Sequence, residues 1–188
     1  MDTDVLNQIE LHVRGGFAPA GDIVDMVLET CESEELDHDE LHGLVRASLR
    51  ELRKQARAWP EVTDCDRLDV AFRALCSRGV IALQNAGYTQ SDGYHDVGQA
   101  LRSCPEPAAI LGYCFFHGQD LERAVNGDGV YLAFGPIDPN LEQTVGPQVG
   151  KMVIEELGRA GLESIWNGSF GQRILVPKVD WKKRRSDW

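Results

Sequence analysis

His117-Gly118-Gln119-Asp120 sets an imidazole three residues before a carboxylate. An imidazole oriented by a carboxylate is general-base geometry. The same four residues also suit a helix start, where Gln119 and Asp120 satisfy free N–H groups and complement the helix dipole. Two further polar stretches stand near it in type. Asn85–Asp96 offers Asn85, Tyr88, Asp92 and His95, and a later loop offers Asp138 and Asn140. Each stretch follows a predicted strand. If those strands run parallel, the loops gather at one sheet edge, where open α/β sheets bind ligands. His117, Asp120, His95 and Asp92 are therefore the candidate catalytic or ligand-binding residues. Cys114 lies inside an apolar run, where a thiol is inert packing.

The other motifs are incomplete. His38-Asp-Glu-Leu-His42 brings two imidazoles onto one helical face. Zinc peptidases of the His-Glu-x-x-His type need glutamate directly after the first histidine. Here Asp39 stands there, one methylene short, and no third ligand is evident, so His38 and His42 are the metal candidates without a completed site. Gly146-Pro-Gln-Val-Gly150-Lys151-Met152 is one residue short of a phosphate loop and has Met152 in place of the magnesium-binding hydroxyl. No cofactor is implied.

Charge separates the chain into two parts. Residues 1–40 hold 12 acids against one base, Arg14, so they carry the whole formal net charge of −11. An acidic front end repels nucleic acid and favours basic partners. Glu32, Glu34, Glu35 and Asp37 form its densest run and are the candidate partner-binding residues. The bland alternative is a solvated helical surface that keeps the protein soluble. The ending Trp181-Lys-Lys-Arg-Arg185 is basic and is expected to pair with the acidic front end, within the molecule or between copies. No apolar run has the length of a membrane span. The start lacks the basic-then-apolar order of a signal peptide. The five cysteines are odd in number and never two residues apart, which argues against a disulfide framework. A cytoplasmic protein, without nucleic-acid or membrane partners, is expected.

Helical periodicity positions the acidic part. Val5, Leu6, Ile9 and Val13 share one face; Ile23, Val24, Val27 and Leu28 another; Leu41, Leu44, Val45, Leu49 and Leu52 a third. Trp59-Pro60 stops the third helix, and Thr63 or Asp64 opens a fourth that ends at Gly79. Strands then alternate with helices: Val80–Leu83, a helix at Val97–Ser103, Ile110–Phe116, a helix at Gln119–Val125, Val130–Phe134, a helix at Gln148–Arg159, and a hairpin of Glu163–Trp166 with Arg173–Val176. The link from Phe116 to Val130 is near the minimum for a parallel crossover, so an antiparallel pairing stays open.

Several short stretches together resemble one known family. They are Gly79–Ile81, Ala86–Gly93, Phe115–Asp120, Leu132–Gly135, Trp166-Asn167-Gly168 and Arg173-Ile174. As a set, from about Phe17 onward, they resemble an uncharacterised bacterial domain family of unknown function. That resemblance implies a small intracellular bacterial protein with no established activity, and it transfers no functional residue.

The expected fold is α/β, with α+β as the variant. An acidic helical region at 1–62 precedes an α/β core at 63–188 that ends in the hairpin and basic tail, the two making one compact domain. The core holds a mixed, partly parallel sheet of about five strands with helices packed on it. The expected function is a non-enzymatic binding module, such as an immunity or antagonist protein that meets a basic partner through its acidic helices. The alternative is a small-molecule-binding domain or hydrolase around His117 and Asp120. The sequence leaves the oligomeric state open.

Overall fold

The computed structural model describes residues 3–31 and 37–187. The chain divides into two compact units: the residues up to Thr63 with the terminal stretch from Trp181, and Asp64–Asp180. The basic tail, expected to close the α/β core, thus belongs with the helices.

The helical unit contains α1 (Thr3–Gly15), α2 (Ile23–Thr30) and α3 (His38–Gln55), the last prolonged by a 3-10 turn at Ala56–Ala58. The apolar stripes meet as predicted. Val5, Ile9 and Val13 of α1, Ile23, Val24 and Val27 of α2, and Leu41, Val45 and Leu52 of α3 form one core. Each such side chain contributes roughly 1.5–3 kcal/mol when removed from water. Leu6 departs from the stripe and is 44% exposed. The Asp37 carboxylate accepts from the Asp39 N–H at 2.9 Å and so caps α3.

The tail answers a need of α1. Helix C-termini leave carbonyls without intrahelical donors. Arg185 donates from Nη1 to the carbonyls of His12 and Val13, each at 3.3 Å, and from Nη2 to that of Ala18. Asp187 grips the same guanidinium at 2.9 Å and accepts from the Ala20 N–H at 2.8 Å. The Trp181 indole N–H donates to the Arg14 carbonyl. The tail does meet the acidic front end, but these hydrogen bonds go to backbone carbonyls.

The second unit runs α4 (Asp64–Ser77), β1 (Val80–Leu83), α5 (Gln90–Ser103), β2 (Gly112–Phe115), α6 (Gly118–Val125), β3 (Val130–Pro136), α7 (Gly146–Arg159) and β4 (Ile174–Val176). The sheet is mixed, in the order β1-β2-β3-β4. Phe115 and Phe116 point to opposite faces. Phe116 meets Phe72 of α4 edge-on, and Phe115 meets Tyr94 of α5. Helices therefore cover both faces, which is why this strand reads as an unbroken apolar run.

Two expectations need correction, and one pairing left open is decided. The sheet has four strands, not about five: Glu163–Trp166 is reduced to a single bridge, Ile165 with Leu175. The chain turns away there because Trp166 seats its ring against Gly150 of α7, where a Cβ would lie 2.7 Å from it. Secondly, β1 and β2 are parallel, but β2 and β3 are antiparallel, so no crossover links them. The short α6 is followed by Gly127 and Gly129, both at positive φ, and they turn the chain straight back. Thirdly, Asn85–Asp96 is not a loop throughout, because α5 begins at Gln90. Thr89 and Asp92 form a capping box that starts this helix four residues after Asn85.

Candidate functional site

The parallel pair β1–β2 brings two of the three polar loops to one sheet edge. The ladder continues past the strands: the Phe116 N–H donates to Leu83 O, Ala86 N–H to Phe116 O, Gly118 N–H to Gly87 O and Gln119 N–H to Tyr88 O. The Tyr88 hydroxyl donates to Glu122 at 2.9 Å and ties the first loop to α6. Asp138 and Asn140 follow the antiparallel β3 and fall at the opposite edge, where Asp138 accepts from the backbone and side-chain N–H groups of Asn140.

At the shared edge the chain assembles a buried cluster. The Asp120 Oδ2 lies 3.1 Å from His117 Nε2 and accepts from Arg173 Nη1 at 2.8 Å. It also accepts from the His117 backbone N–H at 3.5 Å, so the carboxylate caps α6 as well. The side chains of Asp120 and His117 are 1% and 5% exposed. Arg173, the residue just before β4, is 32% exposed and stacks over Tyr131 with its Cζ 5.0 Å from the ring centre. Its Nη1 also lies 3.3 Å from His117 Nε2. A neutral imidazole has one N–H. With the proton on Nε2 it donates to Asp120, and with the proton on Nδ1 its bare Nε2 accepts from Arg173. His117 Nδ1 is buried without a hydrogen bond of sound geometry, although the Tyr88 carbonyl favours the charged ring.

Burial pushes the His117 imidazole below its ordinary pKa; Asp120 opposes that shift and Arg173 reinforces it. The ring is thus held neutral in the fold. The unfolded chain binds its proton more readily, so this contribution to stability is complete above about pH 6.5 and fades as the pH falls below it. Urea midpoints of the intact chain should fall between about pH 6.5 and 5, and should fall less in His117→Asn, which cannot titrate there. Parallel pH profiles for the two proteins would contradict a buried neutral His117.

The four expected residues do not form one centre. Asp92 is exposed and spent on the α5 cap, accepting from the Thr89 N–H at 2.8 Å and its hydroxyl at 2.9 Å; those bonds hold its pKa down. His95 is exposed on α5 and pairs with Gln99. Only His117 and Asp120 are in contact; the Asp92 carboxylate acts on the ring through its charge alone, and the pair's third contact is Arg173, 53 residues beyond Asp120. No spacing in the chain points to it. His38 and His42 are both exposed on α3, and among the described residues no group of three His, Cys, Asp or Glu side chains is placed to hold a metal. Cys114 is fully buried, and burial raises its thiol pKa. Of the partner-binding candidates, Asp37 is exposed while capping α3; Glu32, Glu34 and Glu35 lie outside the described residues.

The near-miss phosphate loop has a different purpose. Gly146 and Gly150 lie one turn apart on α7 and seat two rings. A Cβ at Gly146 would lie 2.6 Å from Phe170, and one at Gly150 2.7 Å from Trp166.

Fold and site together define a mixed α/β domain with a helical unit and a buried His–Asp pair at a helix start, joined by a half-exposed arginine. The chain belongs to DUF6891, a domain of unknown function, whose family model matches residues 1–185. The likeness reaches further towards the start than the Phe17 expected from short motifs. No curated protein and no solved structure matches the chain. Among the described residues no helix is long and apolar enough to cross a membrane.

Proposed function

We propose that the protein is a non-enzymatic binding module that engages a basic protein through its acidic helical unit, as an antagonist or immunity protein would. One observation carries this reading. Asp4, Glu10, Asp22, Asp25, Glu29 and Asp39 are all exposed, whereas Arg14, the one base of residues 1–40, is paired with Glu10 at 3.1 Å. Such a surface supplies steering and a fast on-rate more than affinity. The state of His117 favours the same reading over a hydrolase: its imidazole is buried, and its Nε2 faces Asp120 and Arg173 rather than solvent. The five free thiols suit a reducing compartment, and we place the module in the bacterial cytosol.

The test is association of the intact chain with basic proteins captured from its own cells. In a chain carrying Glu32→Lys, Glu34→Lys and Glu35→Lys, the association rate should fall about tenfold or more at low salt. His117→Ala should leave that rate unchanged. The proposal fails if the reversed chain binds the same partner at the wild-type rate.

A further inference from the structure

A small cleft opens in the second unit where β4 stops pairing. β4 covers only Val130–Leu132 of β3, so Phe134 lies beyond the ladder. The loop at 166–172 closes over it and is fixed by its own bonds. The Trp166 indole N–H donates to Ser169 O at 2.9 Å, the Ser169 N–H to Asn167 Oδ1 at 2.9 Å, and the Gly171 N–H to Ser169 Oγ at 3.2 Å. Between this loop and the first turn of α5 lies a cavity of about 160 Å³. An engineered apolar cavity of about 150 Å³ takes up one benzene ring. The walls carry the rings of Tyr94, Phe134 and Phe170, the last two edge-to-face at 6.0 Å.

Arg173 is the one charged side chain in the wall. Its contacts with Asp120 and Tyr131 fix the plane of the guanidinium. Only Nη1 is engaged; Nε and Nη2 make no hydrogen bond to a described residue. A planar carboxylate satisfies two such donors at once. Gln90 Nε2 donates to the Tyr94 hydroxyl at 2.8 Å, and that hydroxyl also hydrogen-bonds with Tyr113, so both polar groups are held in place at the cleft wall.

We propose that this cleft is a binding site for a small aromatic carboxylate, its ring among Tyr94, Phe134 and Phe170 and its carboxylate on the open edge of Arg173. Asp120 behind the guanidinium neutralises part of its charge, so recognition needs the ring as well as the anion. A single ring fits the volume; a nucleotide does not.

The test is a ligand-observed NMR titration of the intact chain with benzoate, benzamide, acetate and inorganic phosphate. Benzoate should bind saturably, benzamide at least about tenfold more weakly, and acetate and phosphate not at all. Gly171→Leu should abolish benzoate binding without disturbing the fold, because a Cβ there meets nothing closer than Ser169 Oγ at 3.6 Å. Arg173→Gln should abolish it too, its fold checked by circular dichroism. Absence of saturable benzoate binding overturns the proposal. So does benzamide binding equal to benzoate, or benzoate binding retained by Gly171→Leu. None of these outcomes bears on the basic partner, which is measured separately.

Discussion

Arg185→Ala should unfold much of the helical unit at room temperature while the sheet unit stays intact. The Arg185 side chain is only 2% exposed and meets three backbone carbonyls and the Asp187 carboxylate. Truncation leaves the carbonyls of His12, Val13 and Ala18 without this donor. A buried polar group left unsatisfied costs about 1–3 kcal/mol. Removing one partner of a buried ion pair costs roughly 3–5 kcal/mol. Asp187 is exposed, so water recovers part of that loss. A net destabilisation of about 3 kcal/mol is expected, and three short helices with one small core have little more than that to lose. Arg185→Lys should recover only part of it, since an ammonium cannot reproduce the fork. Amide hydrogen exchange resolved along the chain checks this: protection should be lost in α1 and α2 and kept in β2 and β3. Uniform protection in both units would contradict the role given to the tail.

Asp120→Asn should destabilise the sheet unit by about 2–3 kcal/mol. The amide keeps the shape and part of the α6 cap. It leaves Arg173 without its carboxylate, a loss softened because that side chain is 32% exposed. Arg173→Gln should cost a similar amount, by leaving the buried carboxylate unpaired. The double variant should be clearly more stable than the sum of the two losses predicts, since each single change strands the other's charge. Urea unfolding of the four proteins gives that coupling. Additive losses would mean that the two charges do not act as a pair.

Much of this was legible in the chain, and the failures have local causes. The three helical stripes were readable because Val5, Ile9 and Val13, and their counterparts in α2 and α3, repeat at the helical period around one core. The start of α5 was missed because Asn85, Gly87 and Gly93 read as loop residues. Yet Thr89-x-x-Asp92 was a capping box in plain view. Gly93 is there for packing, not for a turn: a Cβ would lie 2.2 Å from the Phe115 ring. The glycines of α7 misled in the same way, resembling a phosphate loop while making room for Phe170 and Trp166. The direction of β3 was undecidable from length alone, since about a dozen residues permit either connection. Two of the site's three residues, His117 and Asp120, were local and therefore visible. Arg173 was not, because strand pairing alone brings it to Asp120.

The most direct test of the account is the titration of the His117 ring, followed by imidazole nitrogen NMR in the intact chain and in Asp120→Asn. The ring should stay neutral through the physiological range, with a midpoint below its ordinary value of about 6.5. That midpoint should drop further in Asp120→Asn, because the carboxylate is the main influence raising it. A ring that titrates at or above its ordinary value, unmoved by Asp120→Asn, would contradict the account. It would place the imidazole in solvent beside no carboxylate, and the buried pair with Asp120 would be lost.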